Sequence, residues 1–66
     1  MITLTDNNGN KFDVEAASIT KVEALNPLSA LAHKAKTLIT IDNIGHTMVK
    51  EDPYTVMNMV IRGIMA

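Results

Sequence analysis

The chain has no cysteine, which excludes a disulfide staple and any metal site built on thiolates. Tryptophan is absent and the other large aromatics occur once each, at Phe12 and Tyr54, so five methionines take up part of the missing core volume with softer side chains. No charge sign dominates: six basic against seven acidic residues leave a net charge of −1. Binding to nucleic acid through its phosphates calls for a basic excess or stripe, so no nucleic-acid partner is expected. No segment approaches the roughly 18 consecutive apolar residues of a membrane span. The opening "MITLTDNNG" carries no basic and apolar leader, which gives the expectation of a soluble, cytoplasmic protein without a membrane span.

What is present fits one domain over residues 1–66. A chain this short buries only about 60% of the surface its unfolded form exposes, so small domains usually need a staple. With disulfides and thiolate metal sites excluded, oligomerisation is the remaining common one. The two histidines, His33 and His46, have no neighbouring acid at ligand spacing. They do not define a metal site, and no cofactor is expected.

"ITLT" alternates Ile2 and Leu4 against Thr3 and Thr5, and Phe12 and Val14 resume the pattern after "DNNGN". With Asn8-Gly9 able to take positive φ, this is a β-hairpin turning Ile2, Leu4, Phe12 and Val14 inward. "ITKVEA" is a short strand with an irregularity, its β-branched residues outweighing a helical turn. "TLITI" reads as a central strand buried on both faces, and "DNIG" turns it into "HTMVK" as a second hairpin.

Asp52 followed by Pro53 marks a helix start: a capping carboxylate, then proline where the missing N–H costs nothing. Along that helix Val56, Met57, Val60, Ile61 and Ile64 converge, Tyr54, Met59 and Met65 widen the face, and Thr55, Asn58 and Arg62 oppose it. The apolar arc exceeds what a helix on one small sheet needs, so part of it is expected against another copy. Asn26 before Pro27 repeats the cap, placing a short helix near residues 27–35. Leu28 and Leu31, with Ala35, share its side, and they are expected to pack on the sheet edge or on a neighbouring chain. The fold class is therefore α+β: a small antiparallel sheet of about four to five strands in two hairpins, a C-terminal amphipathic helix and a short inserted helix.

No catalytic constellation emerges. Ser18 and Ser29 sit in no nucleophile elbow, and the single glycine of "DNNGN" suits a turn rather than a phosphate loop. Glu51 and Asp52 are adjacent carboxylates, but Asp52 serves as cap and Glu51 sits where the helix dipole favours negative charge. An enzyme is not expected. His33, Lys34 and Lys36 form a small cationic patch for an acidic partner or small anionic ligand, although the lysines also suit a helix C-terminus. The interface candidates are Leu28, Leu31, Met57, Val60, Ile61 and Ile64.

"MI" and "LT" at the start, "NG" then "KF" in the first turn, "VEA" at 22–24, "TLIT" at 37–40, Gly45 and above all "VKEDP" before a valine-rich helix resemble the FlbD (SwrD) family of small flagellar proteins. The resemblance implies a noncatalytic accessory role in flagellar motility and supplies no functional residue. The chain departs from that pattern in the inserted Leu25–Lys36 segment and in its nearly uncharged final helix. A shared fold with a changed partner, as in a phage or mobile-element relative, would produce both departures. The leading expectation is a self-associating adaptor or regulator that binds another protein. The alternative is an oligomeric small-molecule or nucleotide-binding protein, such as a virus-encoded sequestering inhibitor of host defence.

Overall fold

The computed structural model describes residues 1–65. The chain runs β1 (Ile2–Thr5), β2 (Lys11–Val14), a 3-10 turn (Ala16–Ser18), β3 (Ile19–Ala24), α1 (Pro27–His33), β4 (Thr37–Ile41), β5 (Gly45–Val49) and α2 (Pro53–Met65). This is the expected small α+β architecture. Its strands form two antiparallel sheets rather than one: the β1–β2 hairpin, and a three-stranded sheet in the order β3-β4-β5. Where β1 ends, Asp6 bridges Val49, and the Lys50 N–H donates to the Thr5 carbonyl at 2.8 Å. The four-residue β1 already pairs with β2 along one edge, and only its last turn of chain meets β5.

The first hairpin pairs Ile2 with Val14 and Leu4 with Phe12. Ile2, Leu4 and Val14 are buried and Phe12 packs against them. Its turn is wider than an Asn-Gly pair: the Asp6 carboxylate accepts the N–H groups of Asn8 and Asn10, both at 2.9 Å, and Gly9 supplies the positive φ of 90°. An Asp side chain that replaces backbone partners in this way holds a loop that the strands alone would leave open. In β3, the register slips between Ile19 and Lys21, the irregularity expected of "ITKVEA".

β4 is central, but only one of its faces is closed. Thr37, Ile39 and Ile41 are buried, whereas Leu38 and Thr40 on the other face remain half-exposed. The reason is that the core gathers on a single side, where Leu4, Val14, Ile39, Val49, Val56 and Val60 pack together. The hydroxyl of Thr37, the one buried polar side chain among the described residues, donates to the Glu51 carbonyl at 2.6 Å, which removes the cost of burying it.

α1 is capped as the sequence implies. Asn26 accepts the Ser29 N–H at 2.8 Å, and Pro27 opens the helix. It stops at His33, earlier than expected, because Lys34 adopts the left-handed conformation at φ 56° and donates its N–H to Ala30. Ala35, expected on the leucine side of the helix, lies past its end and is buried. α2 begins with Asp52, which accepts from the Thr55 hydroxyl, while the Val56 N–H donates to the Asp52 carbonyl at 3.0 Å.

Candidate interaction site

The connection from β5 to α2 is where the two sheets and the helix are locked. The Glu51 carboxylate accepts both the Thr5 N–H and the Thr5 hydroxyl, each at 2.9 Å. The dipole position assigned to Glu51 from sequence is thus a clamp between β1 and α2. Beside it, hydrogen bonds from the Thr55 side chain and then the Thr55 backbone hold the Asp52 carboxyl below its ordinary value, with Lys36 adding a smaller pull in the same direction. These two acids are structural, and each has a local partner.

Past the cap, α2 divides its apolar arc into two stripes. Val56 and Val60 face the core, with Met59 partly buried beside them. Gly63 also faces inward: a Cβ there would lie 2.5 Å from the Ala16 Cβ and 3.3 Å from Ile2 Cγ2. Helix and turn therefore approach as closely as a glycine permits. The second stripe faces out. Met57 and Ile61 are 45% and 48% exposed, and Tyr54, Ile64 and Met65 are more so. Tyr54, Met57, Ile61 and Ile64 follow one another at intervals of three, four and three, the spacing of a seam between helices.

Of the residues expected at an interface, Met57, Ile61 and Ile64 are brought together on this outward stripe. Val60 is not: it is 7% exposed and belongs to the chain's own core. Its position on the arc is adjacent to the seam, and helix periodicity alone does not say how the arc is rotated against the sheet. Leu28 and Leu31 also depart from one expectation. They do not pack on the sheet edge; both are about four-fifths exposed, and no residue of α1 is buried. The patch residues His33, Lys34 and Lys36 lie exposed around the end of α1. Among the described residues none of them forms a salt bridge, and the ion pair present is Lys21 to Glu23 at 2.9 Å.

A feature without a clear sequence signal is an open, mainly apolar cleft of about 260 Å³ between the first hairpin and the end of β4. Phe12 and Val14 line it from β2, Ile41 and the exposed Ile44 from the second hairpin, and Asp6 and Asp13 also border it. Only the topology brings these distant segments together. Among the described residues no group of three His, Cys, Asp or Glu side chains could hold a metal ion, and no helix is long and apolar enough to cross a membrane.

These features define a small α+β protein that exposes an apolar stripe on α2, two leucines on α1 and a mainly apolar cleft. No protein-family model, curated protein or solved structure matches the chain.

Proposed function

We propose that the protein is a noncatalytic, self-associating adaptor or regulator that acts by binding protein, with copies paired through the outward stripe of α2. The observation that carries this reading is the seam spacing of Tyr54, Met57, Ile61 and Ile64 on a face left without cover. The stripe is made of apolar and aromatic side chains, so the same patch on two copies can meet about a two-fold axis.

The resemblance to the FlbD family supports the adaptor form of the reading and would place its partner in the flagellar machinery.

Size-exclusion chromatography with light scattering at tens of micromolar tests the pairing. The wild-type chain is expected to run as a dimer or larger, and Ile61→Glu should lower the assembled mass while leaving the circular dichroism spectrum unchanged. Ile61 is half-exposed in the single chain, so a charge there costs little to the fold itself. A strictly monomeric wild-type protein would sink the reading.

A further inference from the structure

Two features of the chain remain unused by α2 pairing. Leu28 and Leu31 stand three apart on α1 and are 81% and 80% exposed. They are displayed on a fixed segment: Asn26 caps the start of α1, Lys34 closes its end, and the Leu25 N–H donates to the Lys36 carbonyl at 3.1 Å across its base. Part of the backbone ordering is therefore already spent before any contact forms. The second feature is the open cleft bordered by Phe12, Val14, Ile41 and Ile44, which the chain does not fill itself.

The cleft's size selects its occupant. A cavity of about 150 Å³ takes a benzene molecule, so 260 Å³ suits about two leucine-sized side chains. Charge selects in the same direction. No acidic residue occurs between Glu23 and Asp42, the stretch that contains α1, and His33, Lys34 and Lys36 lie within it. The cleft is bordered by Asp6 at the hairpin turn and by Asp13, whose carboxylate lies with Thr3 on the face opposite Phe12 and Val14. Each of these aspartates engages its Oδ1 inside the hairpin, Asp6 with Asn8 and Asn10 and Asp13 with the Thr3 hydroxyl. A carboxylate has about four acceptor positions, so Asp6 can also accept a lysine.

We propose that a second copy of this chain occupies the cleft, inserting Leu28 and Leu31 of its α1 while Lys34 or Lys36 beside them reaches Asp6. α1 is anchored at the start of β4, whereas Ile41 and Ile44 lie at and beyond its end, about 13 Å along the strand. Donor and acceptor are thus different parts of each copy, which permits a head-to-tail contact from copy to copy. Such contacts close into rings or continue as filaments. The inference rests on the self-association reading for its occupant but uses a surface separate from the α2 seam.

Light scattering on full-length variants tests it. Wild-type protein is expected to exceed the mass of a dimer. Leu31→Asp, which spoils the inserted knob, and Ile44→Asp, which spoils the cleft, should each weaken the larger assembly at least tenfold in dissociation constant and leave the α2 dimer. Both residues are exposed in the single chain, so neither change endangers the fold. An equimolar mixture of the two variants should be heavier than either alone, because the Ile44→Asp copy still offers leucines and the Leu31→Asp copy still offers a cleft. Lys34→Glu together with Lys36→Glu should weaken the contact. A wild-type dimer indifferent to Leu31→Asp would overturn the head-to-tail contact and leave the α2 reading standing; a monomer would remove both. A large assembly unaffected by Leu31→Asp and Ile44→Asp, or a mixture no heavier than its components, would likewise overturn it, as would a cleft that serves a different protein.

Discussion

At Asp52 one carboxylate joins helix capping to pH dependence. Hydrogen bonds from Thr55 favour its ionised form, so its folded value lies below the ordinary 3.8. A depressed carboxyl contributes stability that is present above the unfolded value and is lost as pH falls through the folded one. Asp52→Asn keeps an acceptor at the cap but does not titrate. Its melting temperature is expected to stay close to wild type at neutral pH, and any deficit to shrink below about pH 4, where wild type loses its own contribution. Thermal melts of both proteins from pH 2 to 7 would check this; a deficit constant across the range would exclude the Asp52 contribution. The Asp52-Pro53 pair was legible because capping is local chemistry. Glu51 was not, since its partner Thr5 lies 46 positions away and nothing in "KED" distinguishes a clamp from a dipole position.

Among the elements, α2 shows best what a pattern can and cannot say. The breadth of its apolar arc was plain from spacing, and so was the narrow polar stripe of Thr55, Asn58 and Arg62. Which half of the arc turns inward depends on the shape of the surface beneath, and Val60 falls on the inner side. Gly63 was the missed signal. A glycine amid large apolar residues in a helix marks a close approach, and here it sets the rotation by admitting Ala16 and Ile2. Gly63→Ala gains about 1 kcal/mol of helix propensity. Overpacking against Ala16 costs about 1–3 kcal/mol, so the net effect is expected to be destabilising. A lowered denaturation midpoint at unchanged slope would bear this out, whereas a raised midpoint would show that helix and turn are not in contact. The inserted helix repeats the lesson: its start follows from Asn26 and Pro27, but its early stop comes from the left-handed Lys34, and Leu28 and Leu31 stay exposed because among the described residues no element covers them.

For the molecule as a whole, the alternation of the strands made the two hairpins and most of the core readable. Their division into two sheets was not, because a single bridge at Asp6 and Val49 joins them, and a lone pairing leaves no periodic trace. The cleft was invisible for the same reason, being made by segments that meet only in space. The Glu51 clamp carries a further consequence, in time rather than energy. Closing a loop of this length costs about 3 kcal/mol in chain entropy, so its hydrogen bonds are expected to form late, after each hairpin has formed from nearby residues. A contact absent from the transition state sets how fast a protein comes apart rather than how fast it assembles. Glu51→Gln should therefore leave the refolding arm of the chevron nearly unmoved and raise the unfolding arm, making this carboxylate the latch on the native state's lifetime. A slowed refolding arm would place the joining of hairpin and helix at the start of folding instead.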